Sequence, residues 1–323
     1  MPSPDSQTRA SMADHRPLGP VGWFAAVWLG LVLMAALAGP WLPLPDSNAQ
    51  GACTTKQPKQ ELGPDGQPVV RDGRIVLIAQ PGCDFQQAAN DKPAALPSSD
   101  HLLGNDQIGR DLLSRLMAGA RTTVVIAFGS MIVALLVGGV IGMTSAFVGG
   151  RIDVFITALS AGTIAIPGIV LAISLVAALG RNTFAVWLAL TVTGIPIIAL
   201  VTRTQTSSLI RRDYVTAAQM LGARPSRVLF REVAPNVAPF CLVFFGLGVA
   251  AAIGAEGGLA VIGLSVQPPQ TSWGSIIAGG RPLIQLAPHI SLIPAVVMFL
   301  TIFSVTRLTD YLGDRLGVRQ SLL

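Results

Sequence analysis

The sequence predicts an all-α polytopic membrane protein. It has six transmembrane helices, both termini on the cytoplasmic side, and a small extracytoplasmic subdomain between the first two helices. Three observations predict this. Of 323 residues, 51% are hydrophobic and only 12% charged, about half the charged share of a soluble domain. Six apolar segments are each long enough to cross a bilayer, which takes roughly 20 residues. Arginines gather at the ends of these segments, where topology signals belong. The net charge of +5 therefore does not point to nucleic acid, which calls for a basic face rather than flanking charges.

The segments are Val21–Leu44, Thr122–Val148, Ile152–Leu179, Thr183–Val201, Val237–Leu264 and His289–Thr309. Arg9 and Arg16 precede the first. Arg203, Arg211, Arg212, Arg224, Arg227 and Arg231 separate the fourth from the fifth, and Arg307, Arg315 and Arg319 follow the sixth. An even number of spans puts these three groups on one side, which the positive-inside rule makes the cytoplasm. The other side carries the connection at Arg181 and the segment Ser265–Pro288, with Arg281. The chain thus divides into a cytoplasmic tail at 1–20, a first helix at 21–44 and an external region at 45–121. A membrane core follows at 122–309, with a cytoplasmic loop at 203–236, and then a tail at 310–323.

In the first segment Ala36-x-Ala38 resembles a signal-peptidase site, but the apolar run exceeds the 7–15 residues or so of a signal core. It is expected to stay as an anchor. The external region holds all three lysines, Lys56, Lys59 and Lys92. Within it, PVVRDGRIVLI reads as two short β runs around Arg71-Asp72-Gly73, a hairpin signal. Cys53 and Cys83 flank that hairpin on the oxidising side, which favours a disulfide over two free thiols. Closing a loop of about 30 residues would stabilise the region by roughly 3–4 kcal/mol. A metal site lacks further ligands nearby.

The second span places Ser130, Ala134, Gly138, Gly142 and Ala146 four residues apart, and the fifth repeats this with Gly246, Ala250, Gly254 and Gly258. Such spacing makes a flat face for close helix packing, whether static or sliding. Pro167-Gly168, Pro196 and Pro294 interrupt the third, fourth and sixth spans and are expected to allow kinks. Glu256 is the clear intramembrane charge, placed by GAEGG near the outer surface within reach of water. It reads as a substrate or gating contact or as a packing partner. Buried Asp, Glu and His relays near mid-membrane are scarce, which argues against an ion-driven carrier. A P-loop is absent and the only lysines are external. No metal-ligand spacing or nucleophile motif appears, so neither a catalytic residue nor a bound metal or cofactor is expected.

RRDYVTAAQMLGARPSRVLFREVAPN, Arg211–Asn236, falls in the cytoplasmic loop. Asp213 is expected to cap a helix over Tyr214–Leu221. Gly222 suits the position after its end, Arg224 follows, and Pro225 opens a second short helix that Pro235 ends. Ala217-Ala218 leaves one side nearly bare, open to a partner's closing walls. The arginines can pair with a partner's acidic groups or with lipid phosphates.

This stretch resembles the EAA loop of permease subunits in bacterial binding-protein-dependent ABC importers. There the pattern is E-A-A, three residues, G, and a later Pro. Here Thr216-Ala217-Ala218, Gly222 and Pro235-Asn236 stand in those places. Thr216 departs from the usual Glu, and Glu232 sits where His is common. HLLGNDQIGRDLLSRLMAGAR, His101–Arg121, resembles a signature of the second (C-type) permease of dipeptide, oligopeptide and nickel importers. GLSVQPPQTSWGSIIAGGR, Gly263–Arg281, resembles another. The resemblance runs from about Asp100 to Leu316. It implies a second, non-identical permease, one or two cytoplasmic ATP-binding subunits that hold ATP and Mg, and an extracytoplasmic solute-binding protein. All would sit at the bacterial inner membrane. Peptide is the expected cargo, with nickel chelate or a haem-like ligand as alternatives. Tyr214–Leu221 would couple to the ATPases. Pro167, Glu256, Trp273 and Arg281 are the expected path or gate residues, with Trp273 as an interfacial ring whose N–H stays wet.

Overall fold

The computed structural model describes residues 18–39, 94–99 and 101–318, with strand residues 59–60, 70–71, 74–75 and 77–78. Cys53 and Cys83, Arg9, Arg16 and Arg319 lie outside the described residues, so the disulfide does too. The helices are α1 (Pro20–Ala38), α2 (Leu112–Val148), α3 (Gly150–Ala165), α4 (Gly168–Leu179), α5 (Thr183–Leu209), α6 (Asp213–Met220), α7 (Pro225–Arg227), α8 (Ala234–Val261), α9 (Trp273–Gly280) and α10 (His289–Arg315). A π-helical stretch, Val228–Val233, joins α7 to α8. Five helical runs among the described residues are long and apolar enough to span a membrane, and α3 with α4 forms an apolar pair bent by 87°, a broken span or a re-entrant loop. The chain is an all-α polytopic membrane protein. Between α1 and α2, β1 (Lys59–Gln60) pairs antiparallel with β4 (Leu77–Ile78), and β2 (Val70–Arg71) pairs antiparallel with β3 (Arg74–Ile75). Val70 faces Ile75 and Arg71 faces Arg74.

Local chemistry sets several boundaries. α2 begins at Leu112, ahead of the Thr122 expected from hydropathy, because the Asp111 carboxylate accepts the Ser114 N–H at 2.8 Å. Asn182 caps α5 in the same way, accepting from Ala185 N at 2.8 Å. Gly149 and Gly150, at φ 68° and 60°, reverse the chain between α2 and α3, a conformation that costs any residue with a Cβ. The third span breaks outright at Pro167, further than the expected kink. Proline forces the preceding residue out of the helical region, and Ile166 is extended at φ −79°, ψ 125°.

The second short helix does not end at Pro235. The chain stays helical from Pro225 to Val261, with the Ala234 N–H bonded back to the Leu229 carbonyl, five residues away. The wider π turn lies just before the proline ring, where an α-helical carbonyl would clash with it.

Packing centres on α2, α5 and α8. Ile126 and Ala127 of α2, Val186 and Ala189 of α5, and Val249 and Ile253 of α8 are buried together. The α2 stripe is the seam with α5. A Cβ on Gly138 would stand 2.6 Å from the Ile195 carbonyl oxygen. The α8 stripe is divided instead: Gly246 lies against Thr309 of α10, Gly258 faces Ile169 of α4, and Gly254 is exposed. α1 is tied to α10 by Trp28 Nε1, which donates to Thr301 Oγ1 at 3.1 Å. Large apolar side chains such as Trp23, Met34, Phe155 and Leu159 lie exposed on the flanks, the surface that lipid covers in a spanning bundle.

Candidate functional site

The two ends of the bundle carry different chemistry. At one end the C-terminal ends of α2 and α5 and the start of α8 surround α6. Val215 of α6 is fully buried with Val228, Leu229, Val233 and Val237, against Met143 and Phe147 of α2 and Leu209 of α5. Val215 is the one buried residue of α6. The opposite face presents Tyr214, Thr216 and Ala217 to solvent, with Ala218 half-buried. Met220 and Leu221 at its end are 83% and 87% exposed. An apolar pair held out this far suits a protein partner.

Asp213 does not cap α6. Arg212 occupies that position, and Asp213 is the first helical residue, where its charge favours the helix N-terminus. The far end is as the sequence indicates. Gly222 takes φ 80°, its N–H bonds the Gln219 carbonyl at 2.9 Å, and Ala223 N–H bonds the Ala218 carbonyl at 3.1 Å. This is a Schellman turn. Arg224 then flanks Pro225 in an extended conformation. Close by, Arg203 of α5 holds Asp153 of α3 through Nε at 2.9 Å and Nη2 at 2.6 Å, and Ser145 of α2 donates to the same carboxylate at 3.0 Å. Three helices are tied beside the platform that carries α6.

At the other end, two segments more than a hundred residues apart in sequence meet. His101–Arg121 folds around Asp106. That carboxylate accepts from Ile108 N at 2.9 Å and Arg110 N at 3.0 Å through one oxygen, and from Arg110 Nε at 2.7 Å through the other. Asp111 caps α2 and meets His101 Nδ1 at 3.0 Å. Gly263–Arg281 packs onto this turn through Trp273. The Trp273 indole N–H donates to the Leu116 carbonyl at 2.9 Å, and its backbone N–H donates to Thr123 Oγ1 at 3.2 Å.

Two expectations fail here. Trp273 is not a wet interfacial ring: it is 1% exposed, and Gly119 makes room for it, since a Cβ there would stand 3.1 Å from Trp273 Cδ1. Glu256 is not within reach of water: it is 1% exposed. One carboxylate oxygen accepts from Ser265 at 2.5 Å and Ser272 at 2.7 Å. The returning segment folds over the end of α8 and seals it. Those serines were not singled out from sequence, because their proximity to Glu256 exists only once the chain turns back. Arg281 is exposed in a short 3₁₀ turn after α9. Pro167 caps α4, and the adjacent Gly168 lines an apolar cavity of about 380 Å³ with Ile169, Ala172, Thr193, Gly194 and Ala251. Pro167 sits at the break between α3 and α4, while Glu256 and Trp273 belong to the sealed joint at the Asp106 end.

Comparison with known proteins bears on both ends. Residues 138–318 match the family described as binding-protein-dependent transport system inner membrane component. The chain is 33% identical to a glutathione transport system permease protein of Pectobacterium atrosepticum, over 68% of this chain and 73% of that protein. It is 35% identical to an oligopeptide transport system permease protein of Bacillus subtilis, over 70% of this chain and 73% of that one. A di/tripeptide transport system permease protein of Pseudomonas aeruginosa is 34% identical over 67% and 71%.

Proposed function

The chain belongs to the family of binding-protein-dependent transport system inner membrane components, and on that premise we propose that it forms half of the translocation pathway of an ATP-driven peptide importer. It is a multi-pass permease component of the bacterial inner membrane. The peptide cargo rests on the relatives, which are named for glutathione, oligopeptides and di/tripeptides.

The observation that carries the mechanism is the mounting of α6. One face is fixed by Val215 among the ends of α2, α5 and α8, while Thr216, Ala217, Met220 and Leu221 stand free. A cytoplasmic ATPase that grips the free face transmits its closure to three membrane helices through the fixed one. ATP and Mg bind to those one or two partner subunits. A second, non-identical permease completes the path, and an extracytoplasmic solute-binding protein delivers peptide to the opposite end, near Arg281. The break at Pro167 lets α4 swing relative to α3, and the apolar cavity beside it lies where the path would open. Glu256 and Trp273 hold the outer joint rigid during this movement.

The test is reconstitution of the complete complex in lipid nanodiscs, with ATPase activity measured as loaded solute-binding protein is added. Stimulation by di- or oligopeptide-loaded protein is expected. Stimulation by a nickel chelate or haem instead would overturn the cargo, and turnover driven by an ion gradient without ATP would overturn the importer reading.

A further inference from the structure

Behind the Asp106 turn lies a second cavity, of about 190 Å³, and its chemistry differs from the first. Arg110 and Arg115 line it together with Gln107, Gln267, Gln270 and Ser275. Both guanidiniums are taken almost wholly out of water: Arg110 is 7% exposed and Arg115 5%. One carboxylate serves both. Asp106 already accepts two backbone N–H groups and the short bond from Arg110 Nε. Arg115 reaches it only as an ion pair, Nη1 to Oδ2 at 3.3 Å, and neither Nε nor Nη1 of Arg115 makes a hydrogen bond. Two buried positive charges thus face one negative charge.

The neighbouring acids do not correct this. Asp111 is committed to the cap of α2 and to His101. Glu256 is bonded to Ser265 and Ser272 and is not among the residues that line the cavity. A buried guanidinium with unmet donors is destabilising unless an anion satisfies it. The remaining lining carries no charge: amides and hydroxyls that can orient a small polar ligand stand beside apolar residues such as Ala260, Val266 and Ala278.

We propose that this cavity binds a carboxylate, and that its occupant is the free C-terminal carboxylate of the peptide as it enters from the solute-binding protein. Arg115 with Arg110 forms the charged wall, a planar donor pair suited to two carboxylate oxygens. The source of the carboxylate rests on the importer reading; the carboxylate chemistry rests on the cavity alone. The site lies at the end opposite α6, between the two segments that meet through Trp273.

The experiment is direct binding to the full chain in nanodiscs of zwitterionic lipid, without ATPases or solute-binding protein. Radiolabelled trialanine is compared with trialanine amide, with acetate and inorganic phosphate as competitors. The free acid is expected to bind at least ten-fold more tightly than the amide, and acetate is expected to displace it. Arg115→Met should erase the difference by weakening the acid alone, since an apolar side chain fills the volume without stranding a charge. Arg115→Lys should restore part of it. Equal binding of acid and amide by the unsubstituted chain, or no binding of either, overturns the proposal. So does equal loss of both forms in Arg115→Met, or displacement by phosphate more readily than by acetate. None of these results touches the ATPase assay above, so failure of this site and failure of the importer reading are distinguishable.

Discussion

Gly142 of α2 lies directly against Thr202 of α5. A Cβ on the glycine would overlap both Thr202 Oγ1 and the Ala199 carbonyl oxygen. Thr202 in turn is fully buried and directs its hydroxyl to the Ile198 carbonyl at 2.5 Å. The seam is closed by backbone, which cannot rotate away as a side chain can.

Gly142→Ala is therefore expected to separate α2 from α5. Overpacking a tight core costs about 1–3 kcal/mol, and a backbone neighbour puts this case at the upper end. A fall of roughly 5 °C or more in the thermal midpoint of detergent-purified protein is expected. Gly139→Ala is the control, because a Cβ there meets nothing within 4 Å. Equal midpoints for the two variants would show that the seam is not tight in solution.

The α6 platform makes a paired prediction. Val215→Asp buries an unpartnered charge and should release α6 from its pocket, reducing peptide-stimulated ATPase activity at least ten-fold with membrane insertion intact. Gly222 has open space around it and a φ of 80°, so conformation and not volume is at stake. Gly222→Asn is expected to retain most coupling, and Gly222→Val to lose it, because β-branched residues tolerate the left-handed region worst. Full stimulation in Val215→Asp would remove α6 from the mechanism.

Glu256 is sealed by its two serines, so its substitution should be felt as stability. Glu256→Ala strands the Ser265 and Ser272 hydroxyls, and about 1–3 kcal/mol of destabilisation is expected. Glu256→Gln keeps an acceptor at the same place and should lie within about 1 kcal/mol of the parent on the same scale. Thermal midpoints of the two purified variants decide this. A harmless alanine would mean that water reaches the site.

Arg281 is exposed on the turn after α9, on the side where the solute-binding protein is proposed to dock. Arg281→Glu should slow its association and steepen the salt dependence, because rim charges act mainly on encounter. Basal ATPase activity should stay near normal, since α6 lies at the other end. Surface plasmon resonance at two salt concentrations reads the on-rate, and an unchanged rate would exclude this residue from docking.

Hydropathy alone determined that this chain is a polytopic membrane protein, because a span is an average over some twenty neighbouring residues and needs no partner. The end of α6 was equally legible: a left-handed glycine and a proline two residues after Ala223 act within their own turn. What only the tertiary structure decided depends on contacts between distant segments. α2 runs beyond its apolar stretch because Asp111 caps it, and its polar first turn is covered by α9. The chain passes helically through Pro235 because the π turn before it leaves room for the ring. Glu256 and Trp273 look water-facing in sequence, each near the end of an apolar run. They are buried because Ser265 and Ser272, nine and sixteen residues beyond Glu256, fold back over it, and because Gly119, Leu116 and Thr123 open a slot for the indole. The surplus charge at Arg110 and Arg115 emerges in the same way. Sequence counts charges, but only the fold shows that two arginines share one aspartate out of reach of water.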